Sequence, residues 1–341
     1  MINAEMLAAA ANDLNVKNLK IQALNWILDK VRLQEARRVI EVSGPSAVEL
    51  PEEIVRKVED SEIILVHYAP VSGNLIKAAG GLRIIGTCRG GFDNLDVESA
   101  TQANVVAFRI MGRNAEAVSD FTIGLILAEG RNIARSNTLL RQGKWLKPPE
   151  ENIHNLAGRT VGLLGFGYVG QLVARKLSSF NVRILVYDPY VSADTVSKTD
   201  ASLVSLKELF RLSDYICVLA RLTKENEGIV DEKLISLMKP TSYIINTARA
   251  GLVNEGALCE ALAKRRIAGA ALDVFWHEPL PKDHILNKLD NVTLTSHLAG
   301  TTIESLTKSP KLLVEDINRL LLGEQPLGVI NPNALRTFSI K

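Results

Sequence analysis

One run, from Thr160 to Asp188, constrains this chain more than any other feature. The apolar stretch Thr160-Val161-Gly162-Leu163-Leu164 leads straight into Gly165-Phe166-Gly167-Tyr168-Val169-Gly170. A second apolar stretch, Val182 to Tyr187, ends at Asp188, 18 residues after Gly170. Strand, glycine turn, helix, strand and acid follow one another in the order of a dinucleotide-binding βαβ unit. A G-x-G-x-x-G sequence alone is weak, because glycines enter loops for many reasons, and an ordinary glycine turn is the alternative here. The context gives each position a task. Gly165 permits the tight turn, Gly167 lets the backbone approach a pyrophosphate, and Gly170 lets the helix pack on the strand. The pyrophosphate would sit at the helix N-terminus, where free N–H groups and the helix dipole favour an anion. Asp188 would accept hydrogen bonds from the adenosine ribose. Its charge opposes a 2′-phosphate, and no Arg or Lys follows it until Lys198, so the expected cofactor is NAD rather than NADP.

The length, 341 residues, suggests two domains. Net charge is +2 with acids and bases interspersed, so no basic stripe points to nucleic acid or to a membrane surface. The three cysteines, Cys88, Cys217 and Cys259, are far apart and make neither a metal pattern nor a disulfide framework, which fits a cytoplasmic location. No metal site is expected. The N-terminal stretch has an acid before its apolar residues and no basic region, so it reads as a short helix.

Short apolar runs recur along the chain: 63–67, 82–86, 215–220, 242–246, 267–274 and 292–295. Helix-like or loop segments separate them. A helix is expected from Pro51 to Val58, and a long one from about Ala115 to Arg141, with Asn114 as its N-cap. This alternation argues for an α/β fold with doubly wound parallel sheets, whose strands are buried on both faces. Ligands bind such sheets beyond the carboxyl ends of the strands.

Three residues stand just past those ends. Arg249 follows 242–246, Glu278 follows 267–274, and His297 follows 292–295. Together they suit oxidation of an alcohol beside a carboxylate. A histidine, with an ordinary pKa of about 6.5, can take the hydroxyl proton near neutrality. Glu278 would hold the other ring nitrogen and fix the tautomer. Arg249 offers a planar fork of donors for a carboxylate. Taken singly, each has a plainer reading as a surface charge or a structural histidine. His277 competes weakly for the role of base, and His67, His154 and His284 show no comparable placement.

The motifs resemble the D-isomer-specific 2-hydroxyacid dehydrogenases. The cofactor loop at 160–170, the arginine segment at 238–255, the glutamate segment at 268–279 and the histidine segment at 296–300 stand in that family's order. The likeness extends upstream through 86–96 and 112–118. It implies a catalytic Arg249, Glu278 and His297, with Asp188 on the ribose and Tyr168 and Val169 at the pyrophosphate. It places Thr247, Ala248, Arg249, His297 and Gly300 on the nicotinamide side, and Asp273 on the nicotinamide amide. It further implies two Rossmann-like lobes. A discontinuous substrate domain of 1–111 and 304–341, including a helix at 311–322, would flank an NAD-binding domain at 112–303. Family members usually pair as homodimers through the NAD-binding domain, here by way of the helix near 115–141. An NAD-sensing corepressor on the same fold keeps the same three residues and is the alternative reading.

Some positions depart from the family pattern. Tyr168 stands where Arg is common, Ala250 replaces Gly, and Asn254 replaces Asp. The substrate loop differs most. Its usual small neutral turn reads Cys88-Arg89-Gly90-Gly91 here. Gly90 and Gly91 would offer backbone amides to the substrate carboxylate. Arg89 would add a second cation beside Arg249, favouring a sugar acid, a dicarboxylate or a phosphorylated acid such as 3-phosphoglycerate. The other possibility is that Arg89 pairs with Asp93 or Asp96.

Overall fold

The computed structural model describes residues 2–145 and 153–338. The chain forms two compact units, one made of 1–113 and 302–341, the other of 114–301. The sequence reading puts the boundaries at 111/112 and 303/304.

The first unit holds three parallel strands, β1 (Ile63–Val66), β2 (Ile84–Thr87) and β3 (Val106–Arg109), side by side in chain order. Alternate residues of these strands serve opposite faces. Ile64, Val66, Ile85 and Ala107 meet Leu75, Ile76 and Ala100 from the crossover helices Gly73–Ala78 and Val97–Gln102. Ile84, Val106 and Phe108 meet Ala10 and Ala11 of the N-terminal helix Ala4–Ala11, and Leu313, Val314 and Ile317 of helix Ser309–Leu321. Covering both faces is what makes all-parallel strands apolar throughout. The free edge of β3 is closed by the C-terminal segment. Arg109 N–H donates to Gly328 O at 2.9 Å, Ala107 N–H to Asn331 Oδ1 at 2.8 Å, and Ile330 N–H to Ala107 O at 2.8 Å. β3 is not among the apolar runs read from the sequence. Helix Lys30–Ser43 was missed because it buries just Leu33 and Ile40, too few for an apolar stripe.

The second unit holds seven parallel strands. They are β4 (Thr160–Leu164), β5 (Arg183–Tyr187), β6 (Ala201–Leu203), β7 (Tyr215–Val218), β8 (Tyr243–Asn246), β9 (Gly269–Leu272) and β10 (Val292–Leu294), in the order β10-β9-β8-β7-β4-β5-β6. The winding reverses between β4 and β7, the switch point at which such sheets bind dinucleotides. That reversal belongs to this sheet alone; the three strands of the first unit run in one direction. Here too the faces alternate. Leu164, Leu185, Ile216, Val218 and Ile244 pack on Leu209, Phe210, Leu258 and Leu262, while Val161, Leu163, Val186, Cys217 and Ile245 pack on Ile126, Val173 and Leu177.

The long helix expected over 115–141 is two helices, Ala115–Gly130 and Ile133–Arg141. Asn132 lies between them in the left-handed region at φ +53°, a conformation that asparagine tolerates better than most residues. The Arg135 guanidinium holds it by donating to Asn132 Oδ1 at 2.9 Å. Asn114 precedes the first helix but makes no side-chain cap; its amide packs against Gly300 instead.

Candidate active site

The glycine turn is shaped by what its neighbours exclude. Gly165 sits at φ +105°, and a Cβ there would lie 2.5 Å from the Ala220 backbone nitrogen and 2.6 Å from its Cα. A Cβ on Gly170 would run into the Gly165 carbonyl, whereas one on Gly167 would meet nothing within 4 Å. Two glycines are thus required by protein packing. The middle one faces open space where another molecule's backbone-hugging atoms can come close. Helix Tyr168–Leu177 starts here without a side-chain cap, so the N–H groups of its first turn remain for an anion. Tyr168 at that first turn is half-exposed.

Asp188, at the end of β5, is bound into the same turn. Its Oδ2 accepts from Phe166 N–H at 2.8 Å and its Oδ1 from Tyr190 N–H at 2.9 Å. A carboxylate has about four acceptor positions, so capacity remains for the two hydroxyls of a ribose. The open face at Gly167, the uncapped helix and the fixed carboxylate together fit NAD.

The ends of β8, β9 and β10, which are neighbours in the sheet, carry the other candidates. After β8, Asn246 folds back on its own loop. Its Oδ1 accepts from Ala248 N–H at 3.0 Å, and its Nδ2 donates to Arg249 O at 3.1 Å. Thr247 is buried with its hydroxyl 2.8 Å from that of Thr122. Arg249 is exposed, and its Nη1 donates to Ala248 O at 2.7 Å. After β10, His297 adopts φ +53°, a sparsely populated conformation for a non-glycine residue. Its Nδ1 lies 2.8 Å from Glu278 Oε2, and Glu278 Oε1 accepts from Phe275 N–H at 3.1 Å. The His297 Nε2 has no hydrogen bond among the described residues.

Asp273 is bound into the loop that follows β10. It is 1% exposed. Its Oδ1 accepts from Thr295 Oγ1 at 2.6 Å and Leu298 N–H at 3.0 Å, and its Oδ2 from Ala299 N–H at 2.9 Å. The carboxylate pins the loop that holds His297 in its left-handed turn. His284, passed over in the sequence, is a structural histidine. Its Nδ1 accepts from Leu286 N–H at 3.2 Å, which fixes the tautomer that presents Nε2–H to Glu255 at 2.9 Å.

In the first unit, Arg89 does not stand alone. Its guanidinium lies 2.9 Å from Glu41 and 3.5 Å from Asp93, and over the Tyr68 ring. Asp96 caps helix Val97–Gln102 instead, accepting from Ser99 N–H. Glu41 could not have been foreseen as a partner, because it lies 48 residues away on the helix that the sequence did not reveal.

Residues 123–299 match the D-isomer specific 2-hydroxyacid dehydrogenase, NAD binding domain, and thus cover over half the chain. The chain belongs to the D-isomer-specific 2-hydroxyacid dehydrogenase family. It is 37% identical to a glyoxylate reductase of Thermofilum pendens, over 84% of this chain and 86% of that protein. It is 35% identical to a D-3-phosphoglycerate dehydrogenase of Methanocaldococcus jannaschii, over 88% of this chain but 58% of that longer protein. Among solved structures, the apo D-mandelate dehydrogenase of Rhodotorula graminis is similar with a TM-score of 0.72 at 28% identity, covering 82% of this chain and 86% of that one. This family member uses NAD and acts on the CH–OH group of a D-2-hydroxy acid. No helix among the described residues is long and apolar enough to cross a membrane.

Proposed function

We propose that the chain interconverts a D-2-hydroxy acid and its 2-oxo acid with Arg249, Glu278 and His297 as the catalytic residues. The observation that carries this reading is the asymmetry of His297, with Nδ1 tied to Glu278 and Nε2 without a hydrogen bond among the described residues. When Nδ1–H donates to the carboxylate, the neutral ring presents an unprotonated Nε2. That nitrogen takes the hydroxyl proton during oxidation, and Glu278 stabilises the imidazolium that results. In the reverse direction Nε2–H returns the proton to the forming alkoxide. Arg249 clamps the substrate carboxylate and draws charge from the reacting carbonyl. Bound NAD supplies the hydride acceptor. Gly165, Gly167, Tyr168, Val169, Gly170 and Asp188 would hold its pyrophosphate and ribose, with Thr247, Ala248 and Gly300 on the nicotinamide side. In the first unit, the backbone amides of Gly90 and Gly91 would meet the substrate carboxylate.

The test follows absorbance of NADH with a panel of 2-oxo acids. Turnover that disappears in His297→Ala supports the reading, and equal turnover in that variant sinks it. Pairing of two copies through the NAD-binding unit is supported by Ile133 and Leu140, each 56% exposed, and Trp145, 84% exposed. Light scattering should then give twice the chain mass of 37.3 kDa. Three unpaired cysteines support a cytoplasmic location.

A further inference from the structure

The loops that carry Arg249 and Glu278 in the second unit are held in very different ways. The Arg249 loop is tied from several directions. Asn246 Nδ2 donates to Arg249 O at 3.1 Å, and the short 3-10 turn Ala250–Leu252 follows at once. A neighbouring segment fastens that turn. Gly228 N–H donates to Gly251 O at 2.7 Å, Val230 N–H to Leu252 O at 3.0 Å, and Asn254 N–H to Val230 O at 3.0 Å.

The segment 274–279, which carries Glu278, has no such frame. It follows β9 without regular secondary structure. Its internal bond, from Phe275 N–H to Glu278 Oε1, shapes the loop without tying it to anything else. Among the described residues, two hydrogen bonds lead out of it. One joins Glu278 Oε2 to His297 Nδ1. Glu278 is exposed, and an exposed ionic contact is too weak to hold a loop by itself. The other runs from Trp276 Nε1–H to Val253 O at 2.9 Å. Val253 is 1% exposed, and no other donor reaches its carbonyl among the described residues. Breaking this bond strands a buried acceptor, which makes it the firmer of the two. The indole itself is partly buried against the hydrophobic core of the unit. Trp276 thus fastens the loop, two residues from Glu278, to the turn that begins just after Arg249.

We propose that Trp276 is the positioning residue for Glu278: its indole N–H, seated on Val253 O, keeps the carboxylate within hydrogen-bonding distance of His297 Nδ1. The inference rests on the reading of Glu278 and His297 as the carboxylate and base of the reaction. The role asks no contact of Trp276 with substrate or cofactor. Because the Arg249 turn keeps its own ties, losing the indole bond frees the glutamate and leaves the carboxylate clamp in place. The damage belongs in kcat rather than in KM for the 2-oxo acid.

The experiment is a double-mutant cycle in the full-length protein, with NADH and the 2-oxo acid that it reduces fastest. Trp276→Phe keeps an aromatic ring for packing and removes the donor. It should lower kcat at least about fivefold, the size expected of one buried hydrogen bond, with KM for the acid and Kd for NADH within about twofold of wild type. In a Glu278→Gln background the same change should cost less than about twofold, because a residue acting through Glu278 has nothing left to position. Unchanged kcat in Trp276→Phe overturns the proposal, as does a loss carried by KM. An equal factor in both backgrounds overturns it too, since a purely structural role would be additive. Should Trp276→Phe fail to fold, β-(3-benzothienyl)alanine at position 276 keeps the indole's shape without its N–H and must show the same loss. Full kcat in Glu278→Gln would overturn the underlying reading instead, so the two failures are distinguishable.

Discussion

Replacing Asp273 by asparagine tests the claim that a buried carboxylate, and not the substrate, sets the conformation of the His297 loop. The carboxylate accepts three hydrogen bonds, from Thr295 Oγ1, Leu298 N–H and Ala299 N–H. An amide has one oxygen and one NH2 group in their place. Its least costly orientation turns the oxygen to the buried Ala299 N–H and the NH2 to the Thr295 hydroxyl, which can accept. Leu298 N–H then loses its acceptor. A hydrogen bond to a charged group contributes about 1.5–3 kcal/mol, and the two that remain weaken because the charge is gone. The loop should lose about 2–4 kcal/mol of local stability, and its opening should become roughly 30- to 700-fold more frequent at 1.4 kcal/mol per tenfold. Hydrogen exchange of the apo protein, read on peptides spanning 294–300, measures this with no cofactor bound. The midpoint of global unfolding should move little, because the loop opens as a local unit. Unchanged exchange at Leu298 and Ala299 would refute the assignment of Asp273 as the pin.

Other consequences are open to simple assays. Glu278→Gln should lower kcat by about 10²–10⁴-fold, as general acid–base groups do when disabled, with NADH affinity kept in a fluorescence titration. Gly170→Ala should weaken NADH binding at least tenfold, because its methyl meets the Gly165 carbonyl; an unchanged Kd would show that the turn can yield. Asp188→Ala should erode the preference for NADH over NADPH, measured as the ratio of the two kcat/KM values. Acid stability depends on His67, whose pKa is lowered to about 3, chiefly by burial and then by the nearby Arg113 and Arg89 charges. The unfolded chain binds this proton near pH 6.5 and the folded chain does not. Stability is therefore intact above pH 6.5 and falls towards pH 3, by on the order of 1 kcal/mol per pH unit. Urea unfolding of His67→Phe should show a shallower acid loss than the wild type over pH 6.5–4, and parallel curves would contradict it.

The sequence discloses most where chemistry forces adjacent residues into a pattern. Gly165, Gly167, Gly170 and Asp188 fall within one βαβ unit, so spacing alone reveals them. Arg249, Glu278 and His297 are legible because each comes just after an apolar run. What stayed hidden depends on tertiary approach. Asp273 follows a strand as a ligand-binding acid might, and its burial and its three donors from the His297 loop come only with the fold. The pairing of Arg89 with Glu41 spans 48 residues and needs a helix with almost no apolar stripe. The break at Asn132 escaped notice because 131–133 carry no proline or glycine pair to announce it.

The first unit is assembled from the two ends of the chain, and this affects its synthesis. Ile84, Val106 and Phe108 are covered by Leu313, Val314 and Ile317. A ribosome adding 5–20 residues per second needs roughly 10–40 s between releasing β3 and releasing the helix that covers it. During that interval the second unit emerges whole and can fold, while one face of the β1–β3 sheet has only the N-terminal helix for cover and is partly open to wrong partners. A nascent chain stalled near residue 300 should therefore recruit holding chaperones to its N-terminal third, and extension past Leu321 should release them.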